Sequence, residues 1–191
     1  MLEKLREEIL SCRLCEEQFG FEPHPVFRGN ANSKIMQISQ APSRTVHQTL
    51  KPFDDASGRK LRGEWYRIAD EVFYDPDNFY ITAIAHCYPG KSPHGGDRLP
   101  PKSCARRWLH QEMELVSNRI YLLVGGVAAG FFFPKEGFTS LVFGDHTING
   151  KPAYVLPHPS PLNTKWLRDH PAFLQSRAPQ IAGVIHEVLG L

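Results

Sequence analysis

The chain has 191 residues, 41% of them hydrophobic and 22% charged, a composition that fits one compact domain with a sizeable core. Lys and Arg number 22 against 20 Asp and Glu, so the formal charge is only +2 and any affinity for nucleic acid must come from local clusters. The longest apolar run, 121–133, is too short to cross a bilayer and holds three glycines, and the N-terminus lacks a signal-peptide pattern; both predict a cytoplasmic chain without membrane contact.

Leu2, Leu5, Ile9 and Leu10 fall at helical spacing, so "MLEKLREEIL" predicts an amphipathic helix that delivers Cys12 and Cys15 at its end. "KIMQIS" (34–39) predicts a buried strand that stops at Ala41-Pro42, where proline cannot donate to a ladder. A polar loop follows. "GRKLRGEWYRIADEVFY" then places Leu61, Trp65, Ile68, Ala69 and Val72 on one face of a helix. "NFYITAIAHC" is rich in β-branched and aromatic residues and predicts a second strand. The residues from there to Cys104 include Pro89, Pro93, Pro100 and Pro101, which predicts an irregular loop.

"KSCARRWLHQEMELV" predicts a helix, "RIYLLVG" a strand, and "GVAAGFFF" a short helix whose Phe131 to Phe133 are expected in the core. Asn149-Gly150 between two β-type runs is a hairpin-turn signal, and Ile181, Val184, Ile185, Val188 and Leu189 close the chain as a helix. Strands alternating with helices predict a three-layer α/β/α sandwich around a mostly parallel sheet, in a single domain over 1–191. Ligands gather outside the carboxyl ends of such strands, which directs attention to 39–53, 83–91 and 157–166.

Four cysteines in a reducing compartment are buried thiols or ligands rather than disulfides. Cys12 and Cys15 form a C-x2-C pair, but Cys87 and Cys104 stand 16 residues apart, so zinc, a four-thiolate cluster and no metal at all stay open on spacing alone. The segment "VLPHPSPLN" (155–163) is equally two-sided. Its prolines either stiffen a surface loop or aim His158 at a substrate.

In order, the C-x2-C pair, "SQAPSRTVHQTLKPF" (39–53), "YITAIAHC" (80–87), Cys104, "LLVGGVAAG" and "HPSPLN" resemble the uracil-DNA glycosylase superfamily, most closely its iron-sulfur branch, family 4. The resemblance implies an α/β/α fold and a [4Fe-4S] cluster on Cys12, Cys15, Cys87 and Cys104. It also implies hydrolysis of the N-glycosidic bond of uracil or another deaminated or damaged base in DNA, by a monomer. His158 then matches the histidine that polarises the base carbonyl, Phe53 the stacking aromatic, and Leu162 the wedge that enters the duplex. Gln40 and Ala41 occupy the turn that lines the base pocket, and Ser160 and Lys165 flank the wedge as DNA contacts.

Four positions depart from the family pattern. Ala83 replaces the asparagine that reads the uracil edge, Gln40 replaces a glutamate, and Val46-His47 replaces an acidic pair. His47 is a substitute water base because imidazole titrates near neutral pH. Asp54 and Asp55 are further candidates, although a solvated turn or helix cap is the better reading of both. Without its amide reader the pocket discriminates uracil less strongly, so the competing expectation is a homologue that binds DNA or a flipped base without excising it.

Overall fold

A computed structural model describes residues 1–191. Five strands form one sheet: β1 (Ile35–Ser39), β2 (Phe79–Ala83), β3 (Ile120–Val124), β4 (His146–Ile148) and β5 (Lys151–Leu156), in the order β2-β1-β3-β5-β4. All neighbours pair in parallel except β4, which returns antiparallel to β5 through the predicted Asn149-Gly150 turn. Every residue of β1, β2 and β3 is buried, as expected of parallel strands covered by helices on both faces. The three-layer α/β arrangement predicted from the alternating pattern is the one observed. No helix is long and apolar enough to cross a membrane.

The chain leaves β1 toward β2 on one side and reaches β3 on the other, so a crevice opens at the carboxyl ends of β1 and β3. Residues ahead of β1 guard the sheet edge. Arg28 exchanges both backbone hydrogen bonds with Ile81 of β2, at 2.9 and 2.7 Å, and so pairs an otherwise open ladder.

Two expectations are corrected. The helix expected over 58–74 is two helices: Ala56–Lys60 runs on through a π-helical turn, Leu61–Tyr66, then Arg67 turns left-handed at φ 55° and a second helix spans Asp70–Tyr74. Buried Arg62 bridges the break with a two-pronged pair to Asp70, at 2.7 and 3.1 Å, while Nε2 of His186 meets the helix-end carbonyl of Tyr66 at 3.0 Å. The break turns Tyr66, Phe73 and Tyr74 inward, where Tyr66 and Phe73 pack on Phe79 of β2, in place of Ala69, which is exposed. Phe131 to Phe133 are only partly buried and pack against the rim of the core rather than inside it.

Candidate active site and cysteine cavity

A cleft of about 510 Å³, counting its open mouth, lies at the carboxyl ends of the strands. Ser39 at the end of β1 and Ala41 after it, Thr82 and Ala83 of β2, Phe53 and Asp55 from the segment between them, and His158 after β5 all line it. Three segments that the sequence sets more than 100 residues apart at their extremes therefore meet at one place. Gln40 stands in the same turn but lies outside the lining; its carbonyl accepts from the Ala85 N–H at 3.2 Å and ties the ends of β1 and β2 together.

His158 is held by its own loop. Its Nδ1 accepts a hydrogen bond from the Ser160 N–H at 3.2 Å, and its carbonyl accepts from the Asn163 side chain at 2.8 Å. With Nδ1 occupied as an acceptor, the neutral ring carries its proton on Nε2, a fixed N–H donor for the cleft. Burial pushes the imidazole below its ordinary pKa, with Asp55 pulling weakly the other way, so the neutral form prevails at neutral pH. Gly125, at φ 95°, ends β3 directly beneath: a Cβ there would lie 3.5 Å from the His158 Cβ.

Phe53 adopts φ 57°, a left-handed conformation that costs a bulky residue about 1–2 kcal/mol. Its neighbours impose that conformation. The Arg62 guanidinium donates to its carbonyl at 2.9 Å, the Tyr74 hydroxyl donates to the Pro52 carbonyl at 3.0 Å, and Phe73 meets its ring edge-on at 6.2 Å between centroids. Gly58 is required here by contact, because a Cβ on it would fall 1.8 Å from the Phe53 carbonyl oxygen.

Asp55 caps the helix Ala56–Lys60, accepting from the Gly58 N–H at 2.8 Å, and its other oxygen accepts from Ser43 Oγ at 3.2 Å. It is also the one carboxylate lining the cleft. His47 is elsewhere. On the unpredicted short helix Arg44–Thr49, Val46 faces the cleft while His47 stacks on His24 at 4.5 Å beside Phe21 and Tyr88. Burial and the neighbouring His24 lower the pKa of His47. Asp54 pairs with Lys51 at 3.4 Å and does not line the cleft.

Leu162 is 90% exposed at the tip of the loop, on a 3-10 turn spanning Pro161–Asn163. Lys165 and Arg168 follow on the helix Thr164–Asp169, both exposed, with the Lys165 amine 2.8 Å from the Asp169 carboxylate. Lys102, Arg106 and Arg107 are exposed along their own helical segment.

Cys12, Cys15, Cys87 and Cys104 line a second cavity, walled by Ile9, Leu14, Phe19, Pro101 and Trp108 among others. Their proximity shows electrostatically: burial first, then the other three cysteines, pushes the Cys87 thiol far up, and Cys15 rises for the same reasons. No three of these or nearby side chains converge as tightly as a single ion requires.

His86 sits between the two cavities, and sequence reasoning assigned it no role. Its backbone N–H and its Nδ1 each lie 3.5 Å from Cys104 Sγ, and its Nε2 lies 3.0 Å from Glu112. Glu112, fully buried, also accepts from the Tyr80 hydroxyl at 2.9 Å and the Thr82 hydroxyl at 3.0 Å. Burial alone would lower the His86 pKa; Glu112 and Cys104 reverse that and push it up to about 10. Nothing in the sequence marks Glu112, since a glutamate on a helix ordinarily reads as a solvated residue.

The family model described as "Uracil DNA glycosylase superfamily" matches residues 26–181. The chain is 26% identical over 144 residues to a type-4 uracil-DNA glycosylase of Sulfurisphaera tokodaii, covering 73% of this chain and 62% of that protein. It is 25% identical over 134 residues to a type-4 uracil-DNA glycosylase of Archaeoglobus fulgidus, covering 69% and 63%. The chain thus spans somewhat under two thirds of the length of these curated relatives. A solution NMR structure from Methanosarcina acetivorans aligns with 85% of this chain and 94% of its own, at a TM-score of 0.49 and 15% identity. With a match running from the segment that pairs with β2 into the last helix, and the cleft lying within it, the chain belongs to the uracil-DNA glycosylase superfamily.

Proposed function

We propose that this chain is a DNA glycosylase that hydrolyses the N-glycosidic bond of uracil or another deaminated base. The observation that carries the reading is His158, fixed by Ser160 as an Nε2–H donor in a cleft that also holds Phe53 and a single carboxylate, Asp55. A base flipped from the stack lies against Phe53, with its carbonyl toward the His158 N–H. As the bond from C1′ to the base nitrogen breaks, its electron pair moves into the base, and the charge gathering on the carbonyl oxygen is stabilised by that donor. Water adds to C1′ and gives its proton to Asp55, leaving an abasic site and the free base. Asp55, rather than His47, takes the water because it lines the cleft.

Leu162, the most exposed large apolar side chain of the loop, fills the space the base leaves, and Ser160, Lys165 and Arg168 meet the phosphates. The four cysteines suit a [4Fe-4S] cluster: their cavity is apolar and all four line it. When bound, the cluster cross-links the N-terminal segment to the chain around Cys87 and Cys104. The specific observation favouring a second reading is Ala83, whose methyl group lines the cleft and can read no base edge. It favours a homologue that binds a flipped base without releasing it.

The test is cleavage at abasic sites in oligonucleotides carrying one uracil, hypoxanthine, xanthine or mismatched thymine. The parent is expected to release at least one base, and His158→Ala to do so about 10²–10³-fold more slowly. No release from any substrate, with salt-sensitive DNA binding intact, overturns the hydrolytic reading in favour of the binding one.

A further inference from the structure

Val26, Thr82 and Ala83 line the base cleft, whereas Ala85, His86, Cys87 and Cys104 line the cysteine cavity. The two sites share the short stretch 82–87, and His86 contacts both. Toward the cysteines its backbone N–H points at Cys104 Sγ, and its ring Nδ1 lies beside the same sulfur, each at 3.5 Å. Toward the cleft its carbonyl accepts from the Val26 N–H at 2.7 Å. Its Nε2 lies 3.0 Å from Glu112 and 3.1 Å from the Thr82 hydroxyl, which itself donates to Glu112. His86, Thr82 and Glu112 are all at most 2% exposed, so no water competes for these bonds.

A buried carboxylate costs several kcal/mol unless it is fully paired, and Glu112 is paired only because Tyr80, Thr82 and His86 all turn toward it. The arrangement is therefore all-or-none: moving His86 to follow Cys104 also moves the hydrogen-bond partners of two cleft residues.

We propose that His86 is a positioning residue that couples the four-cysteine site to the base cleft, so that the state of the cysteines sets the placement of Thr82 and Val26 against the flipped base. The inference rests on the glycosylase reading of the cleft.

The test uses Glu112→Gln, which nearly keeps the shape and lies outside the cleft lining, and His86→Gln. Iron and sulfide content and equilibrium binding of a duplex containing 2′-fluoro-2′-deoxyuridine against an unmodified duplex are measured for each. Glu112→Gln is expected to keep its iron and lose about tenfold in preference for the analogue. His86→Gln is expected to lose at least as much. Should His86→Gln lose iron or fail to fold, Glu112→Gln decides alone. Variants that lose thermal stability but keep the parent's preference overturn the coupling while leaving the cleft reading intact. A parent with no preference for the analogue overturns the uracil pocket and the coupling with it.

Discussion

The base cleft and the cysteine cavity are built from adjacent stretches of the same chain, yet their walls differ in kind. The cleft carries Ser39, Ser43, Ser57, Thr82, Asp55 and His158 around its apolar floor and opens to solvent. The cysteine cavity offers His86 as its only side chain able to carry charge besides the thiols, and the rest is aliphatic, aromatic or proline. A site that must take up water and a base keeps hydroxyls and a carboxylate within reach. One that holds thiolates away from solvent and oxidants surrounds them with groups that cannot hydrogen-bond. On the glycosylase reading proposed above, reactivity belongs to the cleft and cohesion of the fold to the cavity.

That division can be broken at several points. Asp55→Asn keeps a good helix cap and most of the shape, so the fold survives. Its excision rate is expected to fall about 10²-fold or more, with iron content unchanged, as measured by single-turnover cleavage and iron analysis. Equal loss of iron would show that the two sites are not separable. Cys87→Ala is expected to abolish iron binding and to cost about 3 kcal/mol, roughly 6–12 °C in Tm for a chain of this size, read by calorimetry.

The smallest effect sharpens the cleft alone. The His158 pKa is lower in the folded protein than in the unfolded chain, so the unfolded chain binds the extra proton first. The contribution of His158 to stability is complete above its unfolded pKa of about 6.5 and is lost as pH falls from there toward the folded value. Protonation of Nδ1 also expels the Ser160 N–H. NMR titration of the imidazole should give a midpoint below that of an unfolded peptide, and a midpoint above it would reverse the donor assignment.

The strands, the hairpin and the N- and C-terminal helices were legible because each is written as a local period or a turn pair: "KIMQIS", "RIYLLVG" and Asn149-Gly150 need no distant partner to be recognised. The helix break at Arg67 was not legible, since the apolar spacing from Leu61 to Val72 continues unbroken through it. What breaks the helix is Arg62 reaching Asp70 and His186 reaching Tyr66, the latter contact spanning 120 positions.

The cleft shows the same limit. His158, Phe53, Ala41 and Ala83 were named in advance and do line it, whereas the sequence favoured His47 as water base and read Asp55 first as a turn or cap. Consecutive helical residues point about 100° apart, so the turn that sends Val46 to the cleft sends His47 to His24. The sequence by itself determined the order of elements, the family and the residue types available for chemistry, because these are properties of short segments. Only the tertiary structure decided which carboxylate lines the cleft, that the four cysteines line one cavity, and that His86 and Glu112 hydrogen-bond between the two sites. Convergence of residues remote along the chain follows from how the layers pack, and no local pattern encodes it.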